Sequence, residues 1–232
     1  MLIERHADIR IEKRILGDEG AVLLVIDNLV ADPERLSQRA ARRPFNIRSE
    51  HFPGVRARAP AMYEHFLESV LKPLLPEHFG IQPTRFAFPM CHYSLVATPP
   101  EELRFLQRVP HIDSVDGSGL ATVHYLFHGS WGGTAFYRHR DTGFEYVDKA
   151  RWKTYFRRLE AESRGSEALA PGYINGTTAL FEQVARVDAV FNRMLVYRRN
   201  SLHSACIDDG HVPPPDPQGG RLSINTFIDV MP

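Results

Sequence analysis

Apolar positions along this chain follow two different rhythms. The first third carries one short apolar run, Ala21 to Ile26, which predicts a buried strand. Asp32-Pro33 then opens a helix expected to reach about Arg42, with Asp as cap and Pro at the first helical position. Pro44 to Pro60 is rich in Arg and Pro and reads as loop. A second helix is expected from Ala61 to about Leu75, with Met62, Phe66, Ser69/Val70 and Leu74 on one face, a stripe of the kind that turns toward a core.

From Arg85 onward the pattern changes to short strands divided by Gly, Pro and Asn. Strands are predicted at Phe86 to Val96, Leu120 to Phe127, Thr134 to Arg138, Ala179 to Val184, Met194 to Tyr197, Ser201 to Ile207 and Arg221 to Val230. Lys149 to Arg164 interrupts them as an inserted helix, with Trp152, Tyr155, Phe156 and Leu159 at helical spacing. It could cap the mouth of a barrel, mediate self-association or simply pack on an outer sheet. Asp208 to Gly220, rich in Pro, Asp and Gly, reads as a long hairpin loop, which would make the strand of His203 the antiparallel neighbour of the strand of Arg221. The expected fold is mainly β with added helices (α+β): a sandwich or jelly roll with N-terminal helices packed on its outer sheet. One domain, 1–232, suffices, with 1–84 as a supporting region and 85–232 as the β core.

Composition narrows the function. Lys plus Arg and Asp plus Glu are both 28, so formal charge is zero and nothing pushes the chain toward nucleic acid or an anionic membrane. Cys91 and Cys206 give no disulfide framework. The polar stretch Met1 to Lys13 is no signal peptide, and no apolar run approaches the roughly 18 residues of a membrane span. The expectation is a cytoplasmic protein acting on a small molecule or peptide, with self-association left open.

Three His-x-Asp triplets occur: His6-Ala7-Asp8, His111-Ile112-Asp113 and His139-Arg140-Asp141. Such a tripeptide is two-thirds of a site in which two His and one carboxylate hold Fe(II) on one face. With 11 His in the chain, a bare match is close to chance. His6 falls in the polar N-terminus. His139-Arg140-Asp141 also looks like a kinase catalytic-loop string, but the downstream Asn and the Gly-rich loop are missing. Only the middle triplet is followed by a strand, a Gly-Gly strand, His203 and a strand carrying Arg221. On that last strand Arg221, Ser223, Asn225 and Phe227 share one face. A guanidinium fork beside a hydroxyl suits one end of a dicarboxylate.

The ordered set His111-x-Asp113, Val123-His124-Tyr125-Leu126, Gly132-Gly133-Thr134-Ala135-Phe136, Asn192 to Tyr197, His203-Ser204 and Gly220-Arg221-Leu222-Ser223-Ile224 resembles the prolyl-4-hydroxylase-like branch of the Fe(II)/2-oxoglutarate-dependent oxygenases, and within it an uncharacterised bacterial subgroup. The similarity runs from about Arg85 to Val230. It implies a double-stranded β-helix, and Fe(II) bound by His111, Asp113 and His203. It also implies 2-oxoglutarate on Arg221 and Ser223 with Tyr125 beside it, O2 as the second cosubstrate, and hydroxylation of an unknown amino acid, peptide or small metabolite. Tyr93, Trp131 and Phe136 are candidate substrate-pocket linings. His92 and His124 are read as hydrogen-bonded structural histidines or supporting donors. The long His203–Arg221 loop and the inserted helix depart from the family pattern and leave the substrate open. Two other readings stand beside this one: a non-catalytic metal-binding jelly roll, and a cupin-like metal enzyme that does not use 2-oxoglutarate.

Overall fold

The structure, a computed structural model, describes residues 2–164, 172–207 and 213–231. In chain order its elements are β1 (Arg10–Leu16), β2 (Ala21–Asp27), α1 (Glu34–Ala40), β3 (Gly54–Arg58), α2 (Ala61–Leu71), α3 (Leu75–Phe79) and β4 (Arg85–Val96). They continue with α4 (Phe105–Arg108), β5 (Leu120–Tyr125), β6 (Gly133–His139), α5 (Trp152–Ser163), β7 (Phe181–Asp188), β8 (Met194–Arg198), β9 (His203–Cys206) and β10 (Arg221–Met231). The strands form two open antiparallel sheets, one of seven in the order β1-β2-β8-β5-β10-β4-β3 and one of three in the order β7-β6-β9. Mainly β with added helices is therefore the observed class. No helix among the described residues is long and apolar enough to cross a membrane.

The alternation of β10 separates two cores. Leu222, Ile224 and Ile228 face the N-terminal helices, where Leu36, Tyr63, Leu67 and Leu75 bury against the large sheet. The opposite face of that sheet supplies Leu23, Val25, Val123 and Tyr125, which meet Phe136 and Val187 of the small sheet. Helix α5 seals the far side of the small sheet by burying Tyr155 and Leu159 with Tyr137 and Phe181. Trp152 and Phe156 remain 42% and 40% exposed, so only half of the expected stripe enters the core.

Three expectations need correction. The strand of His203 is not the neighbour of the strand of Arg221. A strand has two edges; those of β10 are taken by β4 and β5, while β9 pairs with β6. The segment between them therefore links the two sheets rather than closing a hairpin, and its residues 208–212 lie outside the described residues. The helix expected over 61–75 stops at Leu71, and its buried stripe is Tyr63, Phe66, Leu67, Val70 and Leu71, one position round from the predicted face. β3 lies in the stretch expected to be loop, and β1 begins in the polar N-terminal stretch, where no strand is predicted. β3 is tied in because Gly54 lets it press on β4: a Cβ there would meet the Leu95 carbonyl oxygen.

His124, on the helix-facing side of β5, is fully buried and structural. Asn192 Nδ2 donates to the Val30 carbonyl and Asn192 Oδ1 accepts from Val30 N, which fixes the amide orientation. His124 Nε2–H must then donate to Asn192 Oδ1 (3.1 Å), leaving Nδ1 to accept from Tyr63 OH (2.9 Å). Burial pushes its pKa down to about 4. The unfolded chain therefore binds the extra proton first, and stability falls as pH drops from about 6.5 toward 4. Between about pH 7 and pH 5 this site alone costs about 2 kcal/mol. Denaturant unfolding of the protein and of His124→Gln at both pH values checks this. The variant loses that part of the pH slope; an identical slope in both would contradict the assignment.

Candidate metal and anion site

His111 is built into the small sheet by its backbone. Its N–H donates to the His203 carbonyl (2.9 Å), and His203 N–H donates back to His111 O (3.0 Å). Two residues on, Asp113 N–H donates to the Arg199 carbonyl (2.8 Å), so both side chains of the triplet are pinned beside β9. The result brings His111 Nε2 to 3.8 Å from Asp113 Oδ1, and His203 Nε2 to 3.6 Å from Asp113 Oδ2. One donor atom from each of the three lies within 4.8 Å of the others. Donors about 2.0–2.2 Å from a shared ion would lie about 3.0–3.5 Å apart, so a small inward movement completes such a site.

The protonation states suit a cation. His203 Nδ1 lies 2.9 Å from the Ser201 carbonyl, which can only accept. Nδ1 therefore carries a proton, which leaves Nε2 as the ring nitrogen turned to Asp113, the arrangement in which a backbone carbonyl orients a ligand imidazole. The His111 side chain is 42% exposed to the open cavity, yet desolvation by the protein packed around the ring, helped by the neighbouring His203 and Arg56, holds its pKa well below its ordinary range. Burial also raises the Asp113 carboxyl. A buried carboxylate is disfavoured on its own, and a divalent ion reverses that balance.

All three groups line a cavity of about 550 Å³ between the sheets, within the size range of ligand pockets. Arg221 lines it too. The residue is 3% exposed, its Nε donates to the Trp131 carbonyl (3.0 Å) and its Nη2 to the Gly133 carbonyl (2.7 Å). The Gly-Gly pair permits this: a Cβ on Gly132 would strike the Cys206 carbonyl and one on Gly133 the Val187 carbonyl. Tyr125 and Phe127 flank the guanidinium, each ring centroid 5.7 Å from Cζ. No carboxylate among the described residues pairs with Arg221. A buried cation with no anionic partner is a receptor for one.

The remaining candidates fall into place around it. The Ser223 hydroxyl donates to Asn225 Oδ1 (2.7 Å), and Asn225, not Ser223, lines the cavity. The Tyr125 hydroxyl is engaged with Thr134 Oγ1 (2.7 Å), and Thr134 is the one at the wall. Trp131 contributes its carbonyl to Arg221. Phe136 packs edge-on against Tyr197 in the core between the sheets, behind His203. Tyr93 is a correction: paired with Ile224, it points into the helix-side core and away from the cavity. His92 is half-buried on the cavity-side face of β4, paired in register with Asn225. His139 is a structural residue, bound to Glu162 Oε2 (2.8 Å) and Thr142 Oγ1 (2.9 Å), and Asp141 pairs with Arg158. Arg56 and Tyr173 are among the lining residues that sequence reasoning missed. Arg56 sits in the stretch taken as loop, although the alternation Val55-Arg56-Ala57-Arg58 carries a strand signal. Tyr173 follows the inserted helix in a segment without periodicity.

The sequence matches a family described as a family of unknown function, DUF6445, over residues 7–228. The chain belongs to the DUF6445 family. No curated protein matches it in sequence. Membership covers both sheets and the whole candidate site, and by itself assigns no reaction.

Proposed function

We propose that this DUF6445 protein is an Fe(II)- and 2-oxoglutarate-dependent dioxygenase that hydroxylates an amino acid, peptide or small metabolite. The observation that carries the reading is one cavity walled by His111, Asp113, His203 and the unpaired buried Arg221. Two imidazoles and one carboxylate converging from one side are the donor set of non-haem Fe(II) oxygenases. In this reading the two sheets correspond to those of a double-stranded β-helix, with the His-x-Asp before β5, the second His on a small-sheet strand and the Arg on the last large-sheet strand.

Iron with 2-oxoglutarate and O2 supplies oxidative decarboxylation to succinate and CO2, coupled to hydroxylation of a substrate C–H bond. The chain's own residues hold and orient. Ser201 O fixes the His203 tautomer, and the Arg199 carbonyl anchors Asp113 through its backbone. The Trp131 and Gly133 carbonyls hold one edge of Arg221, leaving Nη1 and the second Nη2 N–H for a carboxylate. Val109, Ile112, Phe156 and Leu159 add apolar surface to the same cavity lining.

Anaerobic titration of metal-free protein with Fe(II), then 2-oxoglutarate, tests the reading. A visible charge-transfer band of the chelate is expected, followed by succinate on admission of O2. Absence of the band sinks it. A band without succinate would instead favour a metal-binding protein that does not turn over.

A further inference from the structure

Arg56 is a second unpaired cation in the same cavity. It lies on the edge strand β3, where the alternation that buries Val55 and Ala57 against the helix-side core turns Arg56 to the cavity face, opposite Ser94 of β4. Its guanidinium stacks on the Phe52 ring, Cζ 4.1 Å from the centroid. Among the described residues its side chain forms no ion pair, and its Nε is buried without a hydrogen-bond partner. Desolvation pushes its pKa down to about 10, so it stays charged at neutral pH. Asp113 acts on it only at a distance and is committed to the metal side.

Charge counting across the wall gives the site its meaning. Among the described residues, Arg56, Arg221 and Asp113 are the only Arg, Lys, Asp or Glu lining the cavity. With a divalent metal in place, positive charge exceeds negative by three; the dianion 2-oxoglutarate offsets two. One positive charge remains, and it resides on a planar fork that fits a single carboxylate. Phe52, on which it stacks, is apolar, and Met90, Val96 and Leu106 add apolar surface elsewhere in the same cavity lining, which suits a hydrocarbon body.

We infer that Arg56 is the substrate-anion clamp, and that the oxidised substrate is a small monocarboxylate whose carboxylate sits on the Arg56 guanidinium and whose apolar part meets the apolar lining of the cavity. This rests on the dioxygenase reading for the role of the bound acid, but not for its binding. A phosphoryl group is the less fitting anion, because a single guanidinium leaves most of its oxygens without donors.

Hexanoate and hexanamide, the same body with and without charge, are suitable probes. Their binding is measured calorimetrically under nitrogen on the intact chain loaded with Mn(II), with and without 2-oxoglutarate. Hexanoate should bind and hexanamide should bind at least about tenfold more weakly. Arg56→Gln should lose hexanoate by at least about tenfold while keeping 2-oxoglutarate affinity, and Arg56→Lys, with the charge but not the fork, should fall between. Arg221→Lys should show the converse, weakening 2-oxoglutarate and sparing hexanoate. Equal binding of hexanoate and hexanamide, hexanoate binding unchanged in Arg56→Gln, or inorganic phosphate outcompeting hexanoate at Arg56 would each overturn the inference. If 2-oxoglutarate fails to bind while hexanoate still depends on Arg56, the clamp stands and the dioxygenase reading falls.

Discussion

Asp113→Asn removes metal-dependent stabilisation while leaving the metal-free protein as stable as before, or more so. The reason lies in the electrostatics of the triad. Burial already raises the Asp113 carboxyl, so its charge is a burden on the fold when no cation is present. Asn keeps the shape and relieves the charge. With the native residue, a metal present at about 100 times its dissociation constant adds about 2.7 kcal/mol. In a chain of this length that raises the melting temperature by about 5–10 °C. His203→Gln, which keeps most of the volume between Tyr197 and Phe136, should lose the same increment. Losing a mere supporting partner of a ligand costs about 10–100-fold in metal affinity, so losing a ligand should cost more than about 100-fold. Thermal unfolding with and without Mn(II) or anaerobic Fe(II) reads both variants. A full metal-induced shift in either one contradicts the triad.

Under the dioxygenase reading, Arg221→Lys should weaken 2-oxoglutarate binding without changing Fe(II) affinity. Removing one partner of a buried, hydrogen-bonded charge pair costs about 2–5 kcal/mol, which is about 30- to several thousand-fold in affinity. Lys retains the charge, so the loss isolates the fork. It also leaves one or both of the Trp131 and Gly133 carbonyls short of a donor, at about 1–3 kcal/mol for each buried orphan. The variant is therefore less stable, and Fe(II) affinity is the internal control that it is folded. Anaerobic titration followed by the charge-transfer band measures both. A metal enzyme that does not use 2-oxoglutarate would keep its activity in Arg221→Lys, and that outcome would replace the present reading.

The residues of the site were legible in the sequence to different depths. His111, Asp113 and His203 could be ordered along the chain because each sits next to a strand with a clear apolar pattern. Their convergence depends on the backbone pairing of His111 with His203, which no local pattern encodes. The expected β9–β10 hairpin was wrong for the same reason. Strand neighbours are chosen by which edges remain open, and β10 had none. β1 was invisible because Arg10, Glu12 and Arg14 alternate with residues that are themselves exposed, so it is an edge strand with no buried face to betray it. Arg56 was hidden by the Pro- and Arg-rich composition around β3. Its five residues form a strand only because Gly54 permits close approach to β4. Tyr93 was assigned to the pocket from residue type alone. Its parity with Ile224 puts it on the other side, and that parity was available once β4 and β10 were known to pair.

The central claim is that one metal ion joins His111, Asp113 and His203. Anomalous diffraction from crystals soaked with Mn(II) and 2-oxoglutarate tests it directly. One strong peak is expected about 2.0–2.2 Å from His111 Nε2, His203 Nε2 and an Asp113 carboxylate oxygen, with the cosubstrate reaching from it to Arg221. No peak there, or metal bound only at surface carboxylates, would contradict it.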